Sequence, residues 1–369
     1  MKTLKIVLTV VLLFLASATL ASRTSPIGAG EFFPDMVLTT PLGPQAASYL
    51  GVSGQAGFPL SQVQADLVLV EFLSVYCPHC QMQVEYFNRL REMIESDPTT
   101  RGRIKILGVA VASRPAEVEG FMSRFQVGYP LVPDPEFQLY HAVGAGVTPF
   151  SVYVRRIAPG RAGVVAATHT GLHSHPQELF TELRAYADTV PDMLLQKREK
   201  DRGGPGLAAA PVIPDDELET RLMSTFVRLS GGAISAFLPL DLPSGRRVYM
   251  ADSLAGKTRE RLFAEVAARH SICDICHDVH FFYVFDSRGK IIGFEPIQLS
   301  KWGNKPWNED DVAKMRGSLV GSNLARPPAF NADVDAVTSA TITSAVIFDA
   351  VGQGENLLRE LLEKGYLRD

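Results

Sequence analysis

"DLVLVEFLSVYCPHC", Asp66–Cys80, passes from an apolar run straight into a Cys-x-x-Cys pair. The run of Val and Leu reads as a buried strand. Downstream, Val84, Phe87, Leu90 and Ile94 recur at helical spacing, so the cysteines stand where a strand becomes a helix. Cys77 then falls at the helix N-terminus, whose unpaired amides and dipole favour a thiolate, and a lowered thiol pKa is predicted. Cys80 lies one turn inside, within reach of a disulfide. His79 adds positive charge beside the thiolate, which stabilises the reduced form and makes the disulfide more oxidising.

Outward from this centre, strand-like and helix-like patterns alternate, as in an α/β layer fold. "IKILGVAV" (Ile104–Val111) reads as a second strand. Ser113 opens a helix with Pro115 in its first turn and Val118, Phe121, Met122 and Phe125 on one face. "FSVYV" and "GVVAATHTG" read as an antiparallel pair, and Ser174-x-x-Gln177 as a capping box before Leu179, Phe180 and Leu183. His169, His173 and His175 read as surface or capping residues rather than ligands.

Residues from about Glu31 to Val190 resemble the thioredoxin superfamily, in particular its exported, membrane-tethered reductases and redoxins. Glu71 stands six residues before Cys77, Thr148-Pro149 directly precedes "FSVYV", and "YPLVPDPEFQLYHAVGAGVTPF" has the order of the family's later half. The resemblance implies a thioredoxin-like domain over residues 31–195. In it Cys77 attacks a partner disulfide, Cys80 resolves the mixed disulfide, buried Glu71 handles the proton, and Pro149 is cis and faces the disulfide. Pro78-His79 between the cysteines is the pair of strong oxidases, while the surroundings resemble reductases, so the direction of electron flow stays open.

Lys2 and Lys5 precede an apolar run from Ile6 to Leu15 and then Ala16, Ser17, Ala18, Thr19 and Ala21. This reads as a signal peptide over residues 1–21 and an exported, periplasmic or extracytoplasmic protein. The alternative is an uncleaved membrane anchor, although a span wants about 20 apolar residues. A net charge of −4 with no basic stripe or tail speaks against nucleic acid. In an oxidising compartment cysteines bridge, yet all four here form two close pairs, Cys77/Cys80 and Cys273/Cys276, as in a protein that handles electrons.

Residues 196–216, including "KREKDRGGPGLAAAPVIPDD", read as a linker, and 217–369 as an α+β domain. "GAISAFLPL" and "RRVYMAD" are predicted strands; Thr258–Arg269 is predicted helical, with Leu262, Phe263 and Val266 inward. "HFFYVFDSRGKIIGFEPI" is a predicted hairpin turning at Gly289, and a last helical region starts near Thr343, interrupted at Gly352 and Gly354.

Within this half, "DVDAVTSATITSAVIFDAV" (Asp333–Val351) resembles the FMN-binding domain shared by subunits of the sodium-pumping quinone reductase and the Rnf complex. The family pattern, Asp, two variable residues, Ser or Thr, a small residue, Ala-Thr, is matched by Asp335, Thr338, Ser339, Ala340 and Thr341, with Ser339 in place of the commoner glycine. It implies an FMN esterified through its phosphate to Thr341 by an exported flavin transferase. Small residues at 339 and 340 let a phosphate approach, and Thr343 or Ser344 can cap a helix whose amides favour an anion. "SKWGN" (Ser300–Asn304) resembles the family's flavin loop.

Cys273-x-x-Cys276-His277 leaves alternatives open. It is the acceptor pattern of c-type haem, with His277 as proximal iron ligand and His280, Met250 or Met315 as candidates for the sixth position. It is equally a second redox dithiol, a local disulfide, or an incomplete zinc site. The leading functional reading is an exported thiol–disulfide redox protein passing electrons between Cys77/Cys80 and covalent FMN, as a flavin-linked oxidoreductase with a thiol–disulfide or quinone-linked membrane partner. The alternative is a non-enzymatic flavin, or flavin and haem c, carrier subunit of a membrane respiratory complex.

Overall fold

The computed structural model describes residues 25–367 apart from 44, 54–56, 158–162, 197–207, 256–257 and 274. The signal-peptide reading over 1–21 and most of the linker reading lie outside the described residues.

Two five-stranded sheets organise the chain. The first comprises β1 (Leu67–Leu73), β2 (Ile104–Val111), β3 (Leu131–Asp134), β4 (Phe150–Arg155) and β5 (Val164–Thr170). Their order is β3-β2-β1-β4-β5, with β1 parallel to β2 and antiparallel to β4. Every residue of β1 is buried, as a central strand covered on both faces requires; hence its unbroken apolar run. Helix α1 (Pro78–Ser96) packs Val84, Phe87, Leu90 and Ile94 inward, and α2 (Pro115–Phe125) and α3 (Gln138–Val143) follow.

Helix α4 (Pro176–Asp188) does not start on the expected capping box. Its N-cap is His175, and Ser174 Oγ meets His175 Nδ1 at 3.0 Å instead. Pro176, with φ preset and no N–H to satisfy, takes the first helical position and moves the start. Likewise Pro115 makes Arg114 rather than Ser113 the N-cap of α2. His173 is also not a surface residue: it is buried, its ring stacked on His169 with centroids 3.7 Å apart.

The second sheet is an antiparallel meander of β6 (Ala233–Leu240), β7 (Arg247–Ala255), β8 (Thr258–Arg269), β9 (Val279–Asp286) and β10 (Ile291–Gln298). Thr258–Arg269 is therefore a strand, not the expected helix. β8 is the middle strand, and Leu262 and Ala264 pack on one face while Phe263 and Ala267 pack on the other. Burial on both faces puts apolar residues side by side, and such a run is ambiguous between the two periods. Helix α5 (Asp215–Ser230) supplies the first cover with Leu218, Leu222 and Phe226. It starts within the last two residues of the linker reading, where Asp215, Asp216 and Glu217 in its first turn complement the helix dipole. Helices α6 (Glu309–Leu319), α7 (Thr341–Gly352) and α8 (Gly354–Glu363) complete this half, the last two parted near Gly352 and Gly354 as expected.

Candidate functional site

The strand-to-helix joint puts Cys77 at the N-cap of α1 and Cys80 in its first turn, with Pro78 as the first helical residue. Thr148–Pro149 is the cis peptide bond of the described residues, and Cys77 Sγ lies 3.5 Å from the Thr148 carbonyl oxygen. His79 is half-buried beside the pair. On β1, Glu71 is buried; Ser151 donates a hydrogen bond to its Oε2, and Oε1 has no partner among the described residues. Burial pushes the Glu71 carboxyl up to about 8, against the lowering effect of Ser151. A carboxyl that holds its proton near neutrality can give or take one beside a thiol pair.

The sign of that shift can be tested. An unfolded glutamate releases its proton near 4.5, whereas folded Glu71 keeps it to about 8. The folded state binds the extra proton, so stability falls as pH rises through that window, by up to ~1.4 kcal/mol per unit. Glu71→Gln removes the slope. Its melting temperature is expected to exceed the wild type's at pH 8 and to approach it near pH 4.5; equal differences at both would place the titration elsewhere.

The second cysteine pair is brought onto the first. Thr148 donates from both its backbone N–H and, at 2.7 Å, its Oγ1 to the Ile272 carbonyl oxygen, and Thr148 and Cys273 form a parallel β-bridge. The Ser271–Cys273 segment thus lies beside the cis-proline and over Cys77. None of the four cysteines forms a disulfide among the described residues, and their side chains act on one another as a file: Cys80 and Cys273 on Cys77, and Cys276 on Cys273. Cys77 is 0 % exposed and Cys273 1 %, while Cys276 is half-buried.

This packing reverses one expectation. The hydrogen bond to Cys273 pushes the Cys77 thiol up to about 12, with burial adding to the rise and the Cys80 contact opposing it. Burial likewise raises Cys80, and the Cys276 hydrogen bond pushes Cys273 up to about 12. The helix terminus favours a thiolate, but in the fully reduced file a low-dielectric surround and adjacent sulfurs outweigh it.

The far end of the file opens into a cavity of about 350 Å³, within the range of small-molecule sites. Its walls are Cys276 and Ser271, Ser300–Trp302, the Ser339–Thr343 turn, and Tyr76 and Gln81 from the first half of the chain. Thr341 is the first residue of α7 and half-buried; the N-cap is Ala340, with no side-chain cap on the first turn. Thr343 and Ser344 therefore do not cap the helix as expected. Thr343 Oγ1 donates to the Ser300 carbonyl oxygen at 2.8 Å, and Ser344 Oγ accepts from Val337 N–H at 3.0 Å, both bracing the turn. Ser339 has φ +61°, the left-handed region that glycine adopts without strain. The position where glycine is commoner in the family pattern is thus one whose backbone favours it.

Of the other motif residues, Asp335 accepts from Asn331 N–H at 2.9 Å, and neither it nor Thr338 lines the cavity. Asn304 joins the two loops, accepting from His277 N–H at 2.7 Å and donating to the Ile275 carbonyl oxygen at 3.2 Å. His277 is exposed, while His280, Met250 and Met315 are buried. The halves are also joined by His141 and Asp349, 2.6 Å apart with side chains 11 % exposed, and by Arg114 and Asn331 at 2.6 Å. Tyr76 and Gln81 as cavity walls had no signal in the sequence beyond their nearness to Cys77 and Cys80.

No family model and no curated protein matches the chain. Among solved structures it is similar to a Chlorobium tepidum protein described as a thiol:disulfide interchange protein DsbE, at 16 % identity, 44 % of this chain, 99 % of that one and a TM-score of 0.35. A secreted Mycobacterium tuberculosis disulfide oxidoreductase homologous to E. coli DsbE matches at 16 % identity over 41 % of this chain and 96 % of its own, with a TM-score of 0.30. StoA from Bacillus subtilis matches at 14 % over 42 % and 98 %, also at 0.30. Each likeness covers less than half of the chain. The first sheet itself, with Cys77 and Cys80 where β1 passes into α1 and the cis Thr148–Pro149 bond directly before β4, is the α/β layer arrangement expected from the sequence.

Proposed function

We propose that this is an exported thiol–disulfide redox protein that passes electrons between the Cys77/Cys80 dithiol and an FMN esterified to Thr341, with Cys273/Cys276 between them. One observation carries the reading: the file of thiols starting at Cys80 ends on a cavity whose wall holds both Cys276 and Thr341. The residues present suit the group. The uncapped first turn of α7 offers amides to a phosphate, Ala340 and Ser339 leave room for it, and the Thr341 hydroxyl is the ester acceptor. When bound, FMN would supply a two-electron centre to the cavity that Cys276 lines. Tyr76, Trp302 and Ile342 give the walls apolar surface, and Gln81 and Lys301 supply polar groups.

The same packing favours a dithiol over haem c at the second pair. Thioether attachment needs both sulfurs free for the porphyrin, whereas Cys273 is held under Thr148 against Cys77. Maturation calls for a flavin transferase outside the cytosol, in keeping with the leader-like first 21 residues. The physiological partner is a thiol–disulfide or quinone-linked membrane protein.

Complete burial of Cys77 favours a second reading, an internal electron carrier of a respiratory complex. A Cys77→Ser chain loaded with flavin separates the two. The thiol–disulfide reading expects loss of disulfide exchange with every protein acceptor, by ~1,000-fold or more for removal of a nucleophile. Undiminished transfer of flavin electrons to all acceptors would leave only the carrier.

A further inference from the structure

We infer that the sulfurs exchanging between the two pairs are Cys77 and Cys273, and that a Cys77–Cys273 disulfide is the intermediate joining the two halves of the chain. This deepens the thiol–disulfide half of the proposed function and does not depend on the flavin half.

Geometry singles out this pair among the four cross-pair combinations. Cys77 Sγ lies 3.5 Å from the Thr148 carbonyl oxygen, Thr148 is bridged to Cys273, and Cys276, not Cys273, lines the cavity. The hydrogen bonds from Thr148 N–H and Oγ1 to Ile272 hold the neighbouring backbone as an added strand, which fixes where the Cys273 sulfur sits. Ser271–Cys273 is thereby bound as an extended substrate segment would be, but it belongs to the same chain.

The exchange balances without outside reagents. Cys77 thiolate attacks Cys273 Sγ of a Cys273–Cys276 disulfide; the Cys77–Cys273 bond forms and Cys276 departs as thiolate. Cys80 then gives up its proton and attacks Cys77 Sγ; the Cys77–Cys80 bond closes, and Cys273 departs as a thiolate that takes up the proton Cys80 released. Two electrons have moved from the first pair to the second, and the reverse sequence returns them. While the segment is docked, an external polypeptide and Cys273 compete for the same sulfur.

The test uses full-length chains made without flavin transferase. In Cys80→Ala/Cys276→Ala only Cys77 and Cys273 remain; in Cys80→Ala/Cys273→Ala only Cys77 and Cys276. Each reduced protein is treated with oxidised glutathione, acid-quenched, alkylated and mapped by mass spectrometry. The first is expected to close an internal disulfide roughly 100-fold or more faster than the second, as for groups already in contact. Glutathione adducts on both cysteines of the first, or equal closure in the two, would overturn the assignment. If the double variants do not fold, the wild-type chain equilibrated across glutathione ratios must yield the Cys77–Cys273 peptide pair at intermediate poise; only Cys77–Cys80 and Cys273–Cys276 pairs at every ratio would equally overturn it. A linked pair in these chains, together with a wild-type chain that takes no flavin at Thr341 even when made alongside a flavin transferase, would remove the FMN reading and leave this one standing.

Discussion

Thr341→Val, produced alongside a flavin transferase, is expected to carry no covalent flavin. Valine keeps the shape and β-branching of threonine and removes only the hydroxyl that would form the ester. Thr341 is the first residue of α7, half-buried at the cavity wall, and the helix N-cap is Ala340. The change therefore touches neither the cap nor the core, and stability should shift by under about 1 kcal/mol. The readout is flavin fluorescence in a denaturing gel together with the intact mass: wild type fluoresces and gains one FMN less one water, and the variant does neither. Thr343→Val is the control. It loses the bond to the Ser300 carbonyl, costs about 1 kcal/mol, and keeps the flavin. Fluorescence surviving in Thr341→Val would move the attachment point or remove it.

Cys276→Ser should disconnect the flavin from the first dithiol. Cys276 is the cysteine in the cavity wall, and the side chains of both Cys276 and Cys77 act on Cys273. A serine hydroxyl is about the same size but cannot form a disulfide, so the second pair loses its oxidised state altogether. In the wild type, anaerobic reduction of the flavin with Cys77–Cys80 oxidised should release two thiols at that pair. The variant should release them ~100-fold or more slowly, the scale for removing a reacting group. Alkylation at timed intervals, read by peptide mass, counts them. Equal rates would mean that the second pair is not on the route and that Cys273/Cys276 is a bystander.

Much of both sites lies in short stretches of chain. Strand, Cys77-Pro78-His79-Cys80 and helix are contiguous, and their burial pattern follows from residues a few positions apart. The same holds for the turn from Asp335 to Thr341, whose strained position at Ser339 coincides with the one departure from the family pattern. Local rules failed where a neighbour intervened. β8 looked helical because it is covered on both faces, by α5 on one and by the shared core on the other. The Cys77 pKa went up rather than down because another segment's sulfur rests on it.

The sequence by itself determined that this chain holds two Cys-x-x-Cys pairs and a threonine in a stretch that resembles a flavin-attachment pattern, since each is written in consecutive residues. Only the tertiary structure decided that they lie in one file. That depends on Ile272 binding Thr148 across more than a hundred residues of chain and on Tyr76 and Gln81 closing a cavity built mostly by the other half. Such contacts are set by how two sheets pack, and side-chain periodicity reports which face of an element is buried, not what it is buried against.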